Sequence, residues 1–288
     1  IYNQTDNITI DSTKNNKNIL VIGIDGYRSD VMQEEISPFL YDLTKQNNTY
    51  YNLEHITEEI TYSGPNWSSI LTGVHTNKHN VTNNNFDNDR YNYFPPFFNY
   101  IENANNNINT YSIVNWTPIN KYILSNYVDY APELSINDST VYELTKNIIL
   151  NSDTLNSNVI FIHFDEPDGA GHNFGFSPSI EEYTSTITRI DLYSNSLYNI
   201  IEEKRQNGED WLFIVISDHG GEGTGHGDSS NSNINKTIFF VNHPDEILKS
   251  NCCYISNMTD LAPTILGFLG IESNEFNFQK DGNTIIIE

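Results

Sequence analysis

Three apolar runs, each followed by acidic or imidazole side chains, constrain the fold of this chain more than any other feature. They read "NILVIGIDG" from Asn18, "NVIFIHFDEPD" from Asn158 and "WLFIVISDHGG" from Trp211. A short continuous apolar run between polar residues predicts a strand that is buried on both faces, as in a parallel sheet. Ligands of open α/β sheets lie beyond the carboxyl ends of the strands, so these three strand ends predict one shared site.

The segments between the runs carry helical patterns. Apolar residues recur at helical spacing from about Ser177 to Gly208, and "DLAPTILGFLGI" predicts a further helix with Pro263 in its first turn. Alternating strands and helices predict an α/β fold, with a largely parallel central sheet and helices on both faces. We expect one catalytic domain over residues 1–288, with an insertion or cap at about 86–135, where Asn, Tyr and Pro are abundant.

Charge and composition argue against several classes of protein. The formal net charge of -24 argues against a surface that binds nucleic-acid backbones, because such surfaces need clustered Lys and Arg. The two cysteines, Cys252 and Cys253, are adjacent and therefore give no disulfide framework. No apolar run has the length of a transmembrane segment. We therefore expect an anionic substrate to be held locally, by metal ions or helix ends.

The location of the protein is suggested by two weaker features. The chain begins at Ile1 rather than Met, as expected for a sequence from which a signal or anchor has been removed, or which has been trimmed. N-x-S/T sequons begin at Asn3, Asn7, Asn47, Asn66, Asn115, Asn137, Asn235 and Asn257. We therefore expect a secreted or lumenal glycoprotein.

Ligand-type side chains cluster after the three predicted strands. Zinc binds imidazole nitrogen and carboxylate oxygen in roughly tetrahedral sites. A single such residue has an ordinary explanation as a turn, a cap or a solvated side chain. Their joint occurrence at three strand ends predicts a site for two metal ions. The candidate ligands are Asp25, Asp168, His172, Asp218, His219 and His226.

A candidate nucleophile lies in "TYSGPNWSSILTG". Ser63 precedes a Gly-Pro turn that opens into a short apolar helix, where free backbone N–H groups and the helix dipole favour an anion. The alternative interpretation is an N-cap serine.

Together these motifs resemble the type I phosphodiesterase/nucleotide pyrophosphatase family of the alkaline phosphatase superfamily. The resemblance covers "IDGYR", "SGPNWSSILTG" through "HNVTNN", "DEPDGAGHNFG", "SDHGGEGTGHG" and "DLAPTILGFLGI". It implies an alkaline-phosphatase-like fold and an enzyme that hydrolyses phosphoesters with two zinc ions.

The resemblance also implies roles for individual residues. Asp25, Asp218 and His219 would bind one zinc ion, and Ser63 would be both a ligand of that ion and the nucleophile. The other zinc ion would be bound by Asp168, His172 and His226. Asn84 matches an asparagine that hydrogen-bonds a phosphate oxygen. Coordination lowers the pKa of a serine hydroxyl, so Ser63 would form a phosphoseryl intermediate that water then hydrolyses.

The chain departs from the family pattern beside the nucleophile. The family often has Thr there, followed by an aromatic or basic residue, whereas here Gly64 follows Ser63. An aromatic side chain at that place helps to sandwich a nucleobase. Tyr27, Trp67 and Trp116 are the candidates to supply a substrate-binding wall instead, and packing in the core is the alternative role, which we favour for most of them.

Several other functions of the superfamily compete with a phosphodiesterase that acts on a small phosphodiester, pyrophosphate or nucleotide. A sulfatase needs C/S-x-P-x-R, but Trp67 stands where that Arg would be. A phosphoethanolamine transferase shares "S-x-P" and "DHG...HG", but normally carries membrane spans. A phosphomonoesterase uses the same metals. The non-enzymatic alternative is an inactive binding protein, against which the intact ligand set counts. The oligomeric state stays open.

Overall fold

The computed structural model describes residues 8–10, 16–124, 126–132, 135–152, 156–245, 247–251 and 254–287. The adjacent cysteines Cys252 and Cys253 lie outside the described residues, as do Asn3 and Asn7 of the first two sequons. Asn66 is fully buried, which leaves its sequon inaccessible in the folded protein.

A six-stranded sheet forms the centre of the described structure, in the order β3-β7-β6-β2-β5-β4. Its middle strands β5, β2 and β6 are parallel, as is β4 beside β5, whereas β7 runs antiparallel to both β6 and β3. A small antiparallel pair, β1 and β8, lies apart from this sheet. The strands are β1 (Ile8–Ile10), β2 (Lys17–Ile24), β3 (Thr49–Ile56), β4 (Asn109–Val114), β5 (Asn158–Phe164), β6 (Asp210–Ser217), β7 (Lys236–Asn242) and β8 (Ile271–Ser273).

The described α-helices are α1 (Pro38–Leu43), α2 (Ser63–Thr72), α3 (Thr76–His79), α4 (Phe97–Ala104), α5 (Asp138–Asn151), α6 (Glu166–Phe174), α7 (Glu181–Gln206), α8 (Ser232–Asn235), α9 (Leu261–Leu269) and α10 (Asn274–Gln279). Short 3₁₀ turns occur at Ser29–Val31 and Met258–Asp260, and a π-helix at Ile119–Leu124. Within the described ranges, no helix is both long enough and apolar enough to cross a membrane.

Two apolar layers cover the two faces of the sheet. Side chains alternate along β2, so Ile19 and Val21 face one layer while Leu20 and Ile22 face the other. The first layer includes residues of α2, α4 and α9, and the second includes residues of α1, α5 and α7. The predicted α/β architecture, with helices on both faces of the sheet, is therefore confirmed.

The elements predicted from the apolar runs and helical patterns are present. The three apolar runs form β2, β5 and β6, the long helical pattern forms α7, and Pro263 lies in the first turn of α9. The segment at about 86–135, where we expect an insertion or cap, contains α4 and β4. β4 is the edge strand of the central sheet, with Asn109 paired to Asn158, and α4 packs in the first apolar layer.

Candidate metal centre and active site

The sheet brings the three predicted strand ends to one level. Ile24 of β2 pairs with Phe164 of β5 on one side and with Ser217 of β6 on the other. The residues that follow, among them Asp25 and Asp218, therefore emerge together at the carboxyl edge of the sheet. A site at this edge is what the three apolar runs predict.

His219 lies at the centre of the first cluster. Its Nε2 atom is 3.2 Å from Ser63 Oγ, 3.3 Å from Asp25 Oδ1 and 3.4 Å from Asp218 Oδ2. All four side chains are buried. Nitrogen and oxygen ligands about 2.1 Å from a tetrahedral ion lie ~3.4 Å from one another, so these separations fit a shared cation.

The second cluster joins α6 to the Gly-rich loop after β6. His172 Nε2 lies 3.3 Å from Asp168 Oδ2 and 3.2 Å from His226 Nε2, and His226 Nε2 lies 4.0 Å from Asp168 Oδ1. The ring of His226 also stacks on that of His219, with 3.8 Å between the centroids. The two clusters are therefore adjacent.

Backbone carbonyls fix the orientation of the three imidazoles. In each ring Nδ1 lies within 2.9 Å of a carbonyl oxygen: His172 of Thr224, His219 of Gly220 and His226 of Thr61. A proton on Nδ1 that is donated to a carbonyl leaves Nε2 as the free ligand atom, as is common for metal-binding histidines. All three Nε2 atoms face the clusters.

Burial leaves the carboxylates short of partners. Asp25 Oδ1, Asp168 Oδ1 and Asp218 Oδ2 are buried, and none has a hydrogen-bond partner among the described residues. Burial raises the pKa of Asp218 well above its usual value, and the charges of Asp25 and Asp168 raise it further. Uncompensated buried carboxylate oxygens are costly, and a divalent cation is the partner that satisfies several of them at once.

The other titratable groups respond to their nearest partners. Burial raises the pKa of Asp25, but a hydrogen bond from His163 and the charge of His219 outweigh burial and lower it to about 2. A hydrogen bond to Asp168 raises the pKa of His172 to about 9, against burial. Burial and then the charge of His219 lower the pKa of His226 to about 4, which keeps this imidazole neutral.

The ligand groups in the structure nearly match the predicted sets. Asp25, Asp218 and His219 offer ligand atoms within 4.8 Å of one another, as the first predicted set requires. A second group of ligand atoms within 4.8 Å of one another consists of Asp168, His226 and His219, whereas the second predicted set has His172 in place of His219. His172 nevertheless contacts both Asp168 and His226, so the structure brings the whole predicted ligand set together.

Ser63 is the first residue of α2, and its hydroxyl faces the first cluster. The backbone N–H of Gly64 donates to Asn84 Oδ1 at 2.8 Å, so this amide of the helix terminus already has a partner. Since Oδ1 of Asn84 is engaged, its exposed side chain has the Nδ2 amide to offer to a substrate. Asn84 therefore lies beside the residue that follows Ser63, at the first turn of α2.

The three aromatic candidates for substrate contacts differ in position. Tyr27 is 1% exposed, and its hydroxyl lies 2.6 Å from Ser37 Oγ. Trp67 is fully buried, and its indole N–H donates to Asp25. The burial of both rings argues against the substrate contacts predicted for them. Trp116 is half-buried and packs against Phe86.

Three further residues lie near the site but are not among the predicted site residues: His163, Asp165 and Tyr62. His163 lies 3.1 Å from Asp25 Oδ2, and it forms a third possible ligand group with Asp25 and Asp165. A polar residue near the end of an apolar strand is the signal that points to His163. Tyr62 precedes Ser63 and is 44% exposed, with its ring centroid 6.0 Å from that of His226.

Solved structures share this fold at low sequence identity. Murine ectonucleotide pyrophosphatase/phosphodiesterase 5, an inactive variant in complex with AMP, superimposes with a TM-score of 0.68 at 16% identity, covering 94% of this chain and all of that one. The periplasmic domain of EptC from Escherichia coli superimposes with a TM-score of 0.65 at 14% identity, covering 98% and 89%. These similarities show the fold alone.

Curated relatives include the bis(5'-adenosyl)-triphosphatase ENPP4 of Homo sapiens and of Bos taurus. Each is 24% identical to this chain, in an alignment that covers 70% of this chain. The chain spans about half the length of these relatives, since the alignments cover 47% of each.

A sequence profile of one family matches most of the chain and includes all of the candidate ligands. It covers residues 19–243, from the first buried strand to the loop after β7. The chain belongs to the type I phosphodiesterase/nucleotide pyrophosphatase family.

Proposed function

We propose that this chain is a zinc-dependent phosphodiesterase/nucleotide pyrophosphatase, which hydrolyses a small phosphodiester or pyrophosphate through a phosphoserine intermediate on Ser63. One observation carries the proposal. Ser63 Oγ lies 3.2 Å from His219 Nε2, where buried oxygens of Asp25 and Asp218 also lack partners among the described residues. A hydroxyl at the meeting point of cation ligands is placed to become a nucleophile.

Two zinc ions fit the donor set. Asp25, Asp218 and His219 would hold one ion beside Ser63, and the other would be held by Asp168, His172 and His226. When bound, the ions lower the pKa of a coordinated hydroxyl and neutralise charge on phosphate oxygens.

The residues of the chain then divide the work. Ser63 Oγ loses its proton to solvent and attacks phosphorus, and the bond to the leaving oxygen breaks with its electron pair on that oxygen. The phosphoryl group, which still carries the other substituent of the diester, becomes esterified to Ser63. Asn84 donates from Nδ2 to a non-bridging oxygen, while its Oδ1 holds the Gly64 N–H at 2.8 Å and so fixes the amide in place. Water then cleaves the phosphoserine and restores the hydroxyl.

The relatives support a nucleotide-type substrate, whereas Gly64 leaves no room for an aromatic side chain next to Ser63 that could contact a base. The ENPP4 relatives are named bis(5'-adenosyl)-triphosphatases, and the murine ENPP5 structure contains AMP. A Cβ atom at Gly64 would lie 2.7 Å from the Asn83 carbonyl oxygen, so an aromatic side chain does not fit there. Exposed aromatic surface comes instead from Tyr62 and from Tyr122, which stacks on Phe86 at 4.8 Å. These rings offer the contacts for a base or another planar leaving group.

A secreted or lumenal location and glycosylation belong to the same proposal. They are supported by the sequons of the described chain that begin at Asn47, Asn115, Asn137, Asn235 and Asn257.

A metal-free Ser–His pair is the rival interpretation of the contact between Ser63 and His219. With Nδ1 directed to the Gly220 carbonyl, Nε2 of His219 is free to accept the hydroxyl proton. The two interpretations differ in one respect: a Ser–His pair keeps its activity when metals are removed.

The test is turnover of a matched substrate panel by zinc-loaded and chelator-treated protein. The panel contains bis-p-nitrophenyl phosphate, p-nitrophenyl phosphate, p-nitrophenyl sulfate and the p-nitrophenyl ester of thymidine 5'-monophosphate. We expect the diesters to be preferred, with activity lost on chelation and restored by zinc. Ser63→Ala should lower turnover by about three orders of magnitude or more, because the nucleophile is lost.

Two controls sharpen this test. Ser63→Thr keeps a hydroxyl at the same position and should retain measurable turnover. With the p-nitrophenyl ester of thymidine 5'-monophosphate, intact-mass analysis of acid-quenched protein should find a thymidylyl adduct in the wild type that is absent from Ser63→Ala. Activity that survives chelation would overturn the metal mechanism, and preference for the monoester or the sulfate would overturn the substrate class.

A further inference from the structure

The two oxygens of Asp25 have different surroundings. Oδ2 accepts hydrogen bonds from Trp67 Nε1 at 3.0 Å and from His163 Nε2 at 3.1 Å. Oδ1 faces His219 Nε2 at 3.3 Å and has no hydrogen-bond partner in the described part of the chain. One oxygen is therefore held by the protein, and the other is left for the cluster.

We propose that Trp67 and His163 are positioning residues, which hold Oδ2 of Asp25 so that Oδ1 is presented to the cation beside Ser63. This inference rests on the proposed function, because it concerns the cation that function requires. A carboxylate with one oxygen held by two N–H donors cannot rotate away from its cation. Such outer partners commonly tune the affinity of a metal site.

Trp67 ties the helix of the nucleophile to the metal ligand. It follows Ser63 by four residues in α2, so the two side chains lie on the same face of the helix. Its indole N–H therefore links the position of α2, and with it Ser63, to Asp25, which directly follows β2. A single hydrogen bond thus couples the nucleophile to the carboxylate that shares its cation.

The sheet is shaped to seat the indole. Gly23 lies in β2, two residues before Asp25 on the same face, and a Cβ atom there would be 2.6 Å from the ring of Trp67. Gly23 pairs with His163 of β5, whose ring packs edge-on against Trp67 with 4.8 Å between the centroids. Trp67 and His163 are both fully buried, so the packing around them holds both donors to Asp25 Oδ2 in place.

The tautomer of His163 separates it from the candidate ligands. To donate to Asp25, His163 must carry its proton on Nε2. The three candidate ligand histidines instead direct Nδ1 to carbonyl oxygens and keep Nε2 free. The atom of His163 that faces Asp25 is therefore a donor to the carboxylate rather than a ligand.

The test removes one N–H and measures zinc affinity. Trp67→Phe keeps an aromatic ring in the pocket but cannot donate to Asp25, and we expect it to weaken zinc binding by about ten- to hundredfold. Affinity is measured by competition with a chromogenic chelator, and the number of bound ions is counted in the same titration. This measurement does not depend on turnover, so it is independent of the substrate class.

Trp211→Phe is the matched control. Trp211 is also fully buried, and its indole donates to a carboxylate, Glu209, at 2.9 Å. It lies at the opposite end of the sheet, near the start of β6. Both variants should lose thermal stability as metal-free proteins, but the zinc affinity should fall in Trp67→Phe alone.

His163 supplies a second pair of variants. His163→Gln retains a side-chain N–H, whereas His163→Leu removes the donor. We expect His163→Leu to lose more zinc affinity than His163→Gln, with two ions still bound at saturating zinc. A stoichiometry that falls from three ions to two would instead make His163 and Asp165 ligands of a further ion and overturn the positioning role.

A purely structural role for Trp67 would be recognised by zinc affinity within about twofold of the wild type, and that result would also overturn the proposal. Failure of the proposed function appears elsewhere. A wild-type protein that binds no zinc, or a Ser63→Ala protein that keeps its turnover, would refute the zinc mechanism before the variants of Trp67 are compared.

Discussion

Phe176 packs between the two segments that supply most of the candidate ligands, and this packing makes a sharp prediction. Its ring is 1% exposed and lies between α6 and the loop after β6. A Cβ atom at Gly171 would lie 2.2 Å from Cε1 of Phe176, and one at Gly221 would lie 2.2 Å from Cγ. The ring therefore has glycine on both sides and has no room to move away. We predict that Gly171→Ala destabilises the protein.

The size of the effect follows from a comparison within one helix. Gly169, two residues before Gly171 in α6, would meet nothing within 4 Å with a Cβ atom. Alanine is favoured over glycine in a helix by about 1 kcal/mol at either position, so this gain cancels when the two variants are compared. What remains is the cost of overpacking, about 1–3 kcal/mol. Gly171→Ala should be less stable than Gly169→Ala by that amount.

The assay is urea unfolding of chelator-treated protein, followed by fluorescence. The free energy of unfolding should rise slightly in Gly169→Ala and fall in Gly171→Ala. Because Phe176 also contacts the ring of His172, with 5.5 Å between the centroids, the zinc affinity of Gly171→Ala should fall as well. Equal stabilities of the two variants would refute the packing described for Phe176.

Two further predictions concern the active-site loop and its support. Asn84→Asp keeps the acceptor for the Gly64 N–H but loses the amide donor, so its kcat/KM should fall by about 100-fold or more. Asn83→Asp is the control, and its kcat/KM should change little. Equal losses in the two variants would contradict the role of Asn84. Burial lowers the pKa of His79 to about 4, below the 6.5 of the unfolded chain, so its contribution to stability is complete above pH 6.5 and falls by about 3 kcal/mol as the pH drops towards 4. Urea unfolding between pH 7 and 4.5 should show this slope in the wild type but not in His79→Gln, and identical slopes would refute it.

The fold and the candidate ligands could be predicted from the sequence because their signals are local. A buried strand and the acid that follows it are neighbours in the chain, as Ile24 and Asp25 or Ser217 and Asp218 show. Parallel strands then bring such pairs together without further information, because their carboxyl ends share an edge.

Other features depend on contacts between distant segments, and no local pattern reports them. β4 is six residues within an Asn- and Tyr-rich segment, and it becomes a strand of the sheet by pairing with β5. The role of Trp67 depends on the absence of a side chain at Gly23 and on the nearby His163, which come from three different segments. A buried indole looks the same in sequence as one that binds substrate, so the sequence alone leaves both roles open for Trp67.

The division of labour among the histidines is visible in their backbone partners. Three imidazoles at the site direct Nδ1 to a carbonyl and leave Nε2 for the cluster, whereas His163 uses Nε2 to hold Asp25. The carbonyls that fix these three rings belong to Thr61, just before Ser63, and to Gly220 and Thr224 in the loop that carries His219 and His226. A segment that places a candidate ligand or the candidate nucleophile thus also fixes an imidazole proton. We therefore expect a change that moves these segments to alter the proposed metal affinity before it alters the fold.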